Sequence, residues 1–409
     1  MTLASTIHDF VRTHEKAEAE FLAEIVKIPS DNPPGDCDRA AEAAAKRLEA
    51  LGFTVERHKV PDALVKANGM ISATNLIVRK TFGSGGPVIA LNAHGDVVPP
   101  GTGWTRDPYG AEVVDGWMYG RGVAVSKSDI ASYAFAILAL AASGARLNGT
   151  IELHVTYDEE AGGEIGPRWI LDEKLSKPDL AIAAGFSYAV VTAHNGCLHL
   201  EVDVQGRSAH AARPFTGVDA LEAANAILTA LYGWRGGLAA RSSKVPGIGS
   251  PQMTVGLISG GVNTNVVPDR VTFRLDRRMV PEENPAEVEA ELNAVIARAA
   301  TLHPDAKVTV RRILLAEPLT PTEKGAKLTE ILCRHATKIM GESVQASGVP
   351  LYTDARHYAQ AGVPIVLFGA GPHTIEEANA HRADERLPLS DLYKATEVIA
   401  LTLGELLGG

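Results

Sequence analysis

The stretch that decides the fold runs from Pro87 to Asp129, PVIALNAHGDVVPPGTGWTRDPYGAEVVDGWMYGRGVAVSKSD. It opens with Val88-Ile89-Ala90-Leu91, an apolar run with the length and branching of a buried strand. That run delivers an imidazole and a carboxylate, His94-Gly95-Asp96, to the strand's C-terminal end. In parallel α/β sheets this is the edge at which ligands bind. A Pro/Gly-rich loop leads to Gly120-Arg121-Gly122 and then to an Ala/Leu-rich helix from about Ser128. The segment reads as one half of a metal site whose other half must lie further along.

Working outward, the first part of the chain alternates helices and strands. Phe10, Phe21, Leu22, Ile25 and Val26 fall at helical spacing within residues 5–28, and Asp31-Asn32-Pro33-Pro34-Gly35 breaks that helix. A second helix over 38–51 precedes strands at 54–60, 75–79 and 88–92. The helix over 128–142 is apolar nearly all round, so it should be buried. The strand predicted over 150–157 runs straight into Asp158-Glu159-Glu160, and 166–173 and 180–184 read as a short helix and another buried strand.

Near His194 the pattern changes. Residues 198–205, LHLEVDVQ, alternate apolar and polar as a half-exposed strand does. A helix at 218–232, strands at 252–258 and 270–277, a helix at 285–300 and a strand at 307–314 follow. That order is β-α-β-β-α-β, the ferredoxin-like split motif. The reading is therefore an α/β domain in two pieces, 1–193 and 317–409, with an α+β domain inserted at 194–316. A helix at 324–340, a strand at 363–369 and a last helix at 390–407 complete the outer domain.

Composition narrows the function classes. With 409 residues the chain exceeds one simple core. Its formal net charge of -10 and lack of a Lys/Arg cluster exclude a nucleic-acid partner, which needs a basic face. No apolar run approaches the roughly 20 residues of a membrane span. Cys37, Cys197 and Cys333 are scattered, which fits a reducing compartment rather than a disulfide scaffold. The charged first residues do not resemble a signal peptide, so a cytoplasmic location is expected.

Three polar clusters fall where strands of the outer domain should end or in its last loop: His94-Gly95-Asp96, Asp158-Glu159-Glu160 and His381. Each alone is weak, since short charge runs are usually solvated turns. Together they offer the imidazoles and carboxylates that Zn²⁺, Mn²⁺ or Co²⁺ take. Two adjacent glutamates also permit a division of labour, one binding metal while its neighbour acts as general base toward water.

With these residues in view, the chain resembles the acetylornithine deacetylase / succinyl-diaminopimelate desuccinylase / aminoacylase / glutamate carboxypeptidase family of metallohydrolases. The resemblance rests on AHGDVVP (93–99), TYDEEAGGEIG (156–166), QGRSAHAARP (205–214), GGVNTNVVPDR (260–270), LDRRMVP (275–281), YTDAR (352–356) and NAHRADERL (379–387), in family order along the whole chain. It implies a zinc-peptidase-like α/β/α catalytic domain with an inserted ferredoxin-like lid, and a homodimer formed through that lid. By the same resemblance His94, Glu160 and His381 are metal ligands and Glu159 is the general base. Asp96 orients His94, and His210 steadies the oxyanion from the partner subunit. Asn265 and Arg277 would bind substrate; alternatively, Asn265 caps a turn and Arg277 pairs with a lid carboxylate.

Two positions depart from the pattern. The family places a bridging Asp three residues after its Gly-Arg-Gly motif and two before a Lys; here Lys127 is present and that position is Val125. A terminal carboxylate expected after the next buried strand is replaced by Phe186. The remaining His94, Glu160 and His381 form the His₂Glu set that suffices for a single ion, with Asp96, Asp129, Asp158 and His194 as nearby candidates to complete it. Val125 and Phe186 would then wall an apolar, aromatic-accepting cleft. The leading expectation is a metal-dependent hydrolase of an amide C–N bond in a small carboxylate-bearing molecule. An aromatic aminohydrolase and a non-catalytic binding descendant are the alternatives.

Overall fold

The computed structural model describes residues 2–408, which fall into two compact units. One comprises 2–192, 321–347 and 353–408, and the other 193–320 with 348–352. The five-residue return of 348–352 had no counterpart in the sequence pattern. It is fastened by backbone hydrogen bonds, Gly348 N–H to Pro246 (2.7 Å) and Asn195 N–H to Val349 (3.2 Å).

The first unit is built on an eight-stranded mixed sheet. Its order is Val55–Lys59, Thr74–Phe82, Gly149–Thr156, Val88–His94, Leu180–Ala183, Ile365–Leu367, Ala189–His194 and Gln345–Val349. The four strands at its centre, Gly149–Thr156, Val88–His94, Leu180–Ala183 and Ile365–Leu367, run parallel, so their C-terminal ends share one edge. His94 pairs in register with Thr156, which sets the two polar clusters side by side. Helix Lys127–Ala142 is buried along almost its whole length and packs against helices Leu3–Val26 and Leu389–Leu407. This is what its unbroken apolar surface requires.

Several elements escape sequence periodicity. A three-stranded sheet joins Glu112–Val114, Trp117–Tyr119 and Arg386–Pro388. Strands of three residues carry no readable period, and the third partner is remote in sequence. Ala189–His194 and its neighbour at the edge of the large sheet, Gln345–Val349, also lie outside the elements that the sequence pattern predicts.

The second unit holds a four-stranded antiparallel sheet in the order Gln252–Gly260, Arg270–Met279, Gly196–Gln205, Lys307–Ala316. Helices Ala220–Arg235 and Pro285–Ala300 pack together and bury one face of it. This is the arrangement that the β-α-β-β-α-β order predicts. Asp219 and Asn284 cap these helices, each accepting from two backbone N–H groups.

Candidate metal centre

The site forms at the shared C-terminal edge of the central strands. His94 ends one strand; Asp158, Glu159 and Glu160 follow the next. Ligand atoms of His94, Glu159 and Glu160 lie within 4.8 Å of one another. His381 is brought to the same place, its Nε2 3.4 Å from Glu160 Oε1. It sits in the left-handed region (φ 60°), in a loop where Asn379 (φ 50°) and Asp384 (φ 55°) do the same. That backbone is costly for residues other than glycine, and here Asn379 Nδ2 donates to the Asp384 carbonyl to hold it.

Asp96 is the hub. Fully buried, its carboxylate accepts from the backbone N–H groups of Glu159 (3.3 Å) and Glu160 (3.1 Å) and from Asn32 Nδ2 (2.9 Å). The His94 Nδ1 donates to the Asp96 carbonyl (3.0 Å), which leaves Nε2 as the nitrogen on the ring's other side for a metal. Asp96 thus holds the imidazole of His94 and the backbone of both glutamates.

The electrostatics call for a cation. Burial pushes the Glu159 carboxyl up, with His94 opposing and Glu160 and Asp96 adding. Asp354 is driven up by burial and by Glu159 and Asp158. Burial also works against the His94 imidazolium, yet Glu159, Asp96 and Glu160 outweigh it and raise its pKa. So many carboxylates sharing one low-dielectric space are stable when a positive charge joins them. The donor set, imidazole nitrogen and carboxylate oxygen, fits a divalent transition metal.

The other candidates for that site each make contacts of their own. Asp129 Oδ1 accepts from Ala370 N–H (2.7 Å) and fills the space beside Gly369, so it closes the end of a strand. Asp158 Oδ2 accepts from Ile165 N–H (2.7 Å) and organises its own turn. His194 belongs to the second unit, where its Nδ1 donates to the Asn195 carbonyl (2.9 Å).

Val125 and Phe186 meet in one apolar cluster with Ala124, Ala378 and Ala380. Neither offers a side-chain ligand atom. The loop bearing Val125 is held by Glu385, whose buried Oε1 accepts from the N–H groups of Gly122, Ala124 and Val125 while Oε2 pairs with Arg121 (2.5 Å). This anchor, four residues beyond His381, was not among the sequence candidates. Asn32 and Asp354 were not among the candidates either, although Asp354 lies within YTDAR (352–356).

In the second unit, His210 and Asn265 come together: His210 bridges to Val266, and Ala211 N–H donates to the Asn265 carbonyl (3.0 Å). Both are exposed. Arg277 needs correction. It was expected at substrate, but its strand faces it inward, where it is fully buried, pairs with Glu283 (2.5 Å) and lies over the Trp234 ring. The period of two turns its neighbour Arg278 to the opposite face, beside Asp276 (3.0 Å). On that face Cys197, His199 and Asp276 also bring possible ligand atoms within 4.8 Å, but Arg278 already neutralises Asp276.

Fold and site define a metallohydrolase acting on C–N bonds. Residues 90–405 match the model of Peptidase family M20/M25/M40, and the chain belongs to that family. It is 28% identical to the succinyl-diaminopimelate desuccinylase of Acidiphilium cryptum over 370 residues, covering 88% of this chain and 91% of that one. It is likewise 28% identical to the acetylornithine deacetylase of Myxococcus xanthus over 375 residues, covering 90% and 91%. An M20 family metallo-carboxypeptidase from Sulfolobus solfataricus shares the fold with a TM-score of 0.76 at 19% identity, over 94% of this chain and 98% of that one. Human carnosine dipeptidase 1 does so with a TM-score of 0.74 at 19% identity, over 99% of each. Among the described residues no helix is long and apolar enough to cross a membrane.

Proposed function

We propose that the chain hydrolyses the amide bond of a small carboxylate-bearing substrate with one divalent ion, Zn²⁺, Mn²⁺ or Co²⁺, held by His94, Glu160 and His381. The observation that carries this reading is the convergence of His94, Glu159 and Glu160 within 4.8 Å, with His381 3.4 Å from Glu160. The ion, when bound, polarises the carbonyl and acidifies a water. Glu159 takes the proton of the attacking water and passes it to the departing nitrogen; its upward-shifted pKa suits a group that must both accept and release a proton. The relatives named as a desuccinylase and a deacetylase support the deacylase form of the reaction.

His210 steadies the oxyanion, and Asn265 with Arg278, in place of Arg277, binds the substrate's polar end. The chain works in the cytoplasm as a homodimer through the second unit. There the edge strand Gln252–Gly260 exposes Leu257 and Ile258, with Val262 just beyond it. An exposed apolar edge of this kind is stable once paired.

Glu159→Gln tests the core of the proposal. Turnover should fall about 10²–10⁴-fold, the usual worth of a general base, while metal content by elemental mass spectrometry stays the same. Retained turnover would remove Glu159 from its role.

A further inference from the structure

The centre has two unlike sides. Around His94 and Glu159 lie carboxylates, whereas Val125, Phe186, Ala124, Ala378 and Ala380 make a continuous apolar wall. Ala380 directly precedes His381, and the Phe186 loop follows the strand that pairs with the one ending in His94. The wall therefore adjoins the ligands.

Its pieces are held in place by polar groups outside it. Ser187 ties the Phe186 loop to the next strand's end, donating to the Gly369 carbonyl (2.8 Å) and accepting from Gly371 N–H (3.2 Å). The Phe186 ring lies so close to Gly371 that a Cβ there would meet it at 2.3 Å. Glu385 fixes the Val125 backbone. The three alanines are buried, but Val125 and Phe186 each keep part of their surface open. A fixed apolar surface left partly open beside a catalytic centre is suited to a ligand that covers it.

We propose that Val125 and Phe186 form an apolar subsite for an aryl or branched alkyl group attached to the scissile amide, an assignment that rests on the hydrolase reading above. The substrate would then carry its carboxylate at one end and an apolar group against this wall. An ion cannot be held there, because the wall offers no side-chain oxygen, nitrogen or sulfur.

Two substrate pairs test this with the metal-loaded enzyme. One compares N-benzoyl with N-acetyl derivatives of one amino acid; the other compares an anilide with a methylamide of one acyl group. The aryl member of at least one pair should have a kcat/KM advantage of about tenfold or more, the scale on which apolar pockets discriminate. Which pair shows it identifies the side of the bond that meets the wall. Phe186→Ala should bring that ratio close to one, and Val125→Ser should reduce it if the Phe186 variant does not fold. Benzoate should also bind chelator-treated protein more tightly than acetate by calorimetry, and Phe186→Ala should erase the difference. No aryl advantage in either pair, or ratios unmoved by both substitutions, would overturn the subsite. If no amide is cleaved, the hydrolase reading fails, and the benzoate comparison alone decides the subsite.

Discussion

The two units handle charge in opposite ways. On the open face of the second unit's sheet, every carboxylate faces a partner cation: Glu201 lies between Arg274 and Arg311, Asp203 meets Arg270, and Asp276 meets Arg278 and His199. These partners hold Glu201, Asp203 and Asp276 below the usual carboxylate range, although burial works against the last two. In the first unit, Asp96, Glu159, Glu160 and Asp354 crowd together with too few cations, and burial pushes Glu159 and Asp354 upward. Balanced charge builds a surface; buried, unbalanced charge marks a place that expects a ligand. A metal-shaped trio such as Cys197, His199 and Asp276 is therefore less telling than its neighbourhood, which already contains Arg278.

Asp96 gives the sharpest test of this contrast. Asp96→Asn leaves a side chain of similar size but removes the charge that anchors His94 and the Glu159–Glu160 backbone. Metal affinity and kcat/KM should each fall about 10–100-fold, the usual cost of losing a group that orients a ligand. Titration with Zn²⁺ and a hydrolysis assay would measure the two. Unchanged affinity would mean that the hub only packs.

Arg277 asks whether a balanced pair matters once buried. Arg277→Ala takes the nearer cation from Glu283, leaving Arg241 at 3.9 Å and the Val280 N–H, and should cost about 1–3 kcal/mol in denaturant unfolding. Arg278→Ala should spare stability and raise KM instead. If the two effects came out exchanged, the assignment of faces along the strand Arg270–Met279 would be wrong.

Glu18 could break the comparison, because it is buried and unbalanced yet remote in character from the site. It lies on helix Leu3–Val26 with Thr396 donating to it, and burial pushes its carboxyl up to about 8 from 4.5. Between those values the folded state holds a proton that the unfolded state has released. Stability from this group is thus complete below pH 4.5 and is lost as pH rises toward 8. Glu18→Gln should flatten the decline of unfolding free energy over that window by up to about 1.4 kcal/mol per pH unit. A variant with the wild-type slope would show that other groups set it.

The smallest effect belongs to the exposed face. Arg274→Ala removes one of two partners of a solvated carboxylate, and screening by water leaves such pairs little net worth. The thermal midpoint should stay within experimental error.

Much of this architecture was legible in the residue pattern. The apolar run ending in His94, the strand leading into Asp158-Glu159-Glu160 and the alternation of residues 198–205 each carry a local period, and local periods survive into the fold. The order of elements then fixed a ferredoxin-like sheet in the second unit, and residue type marked His94, Glu159, Glu160 and His381, which the structure brings together. What only the tertiary structure decided depends on partners far apart in sequence. It showed that Asp96 binds Asn32 and the backbone of both glutamates, that Glu385 holds the Val125 loop, and that Asp129 accepts from the Ala370 N–H beyond a strand's end. Arg277 and Arg278 illustrate the boundary. Two adjacent arginines are equivalent as residue types, and a strand's alternation separates them only when packed helices define which face is inside.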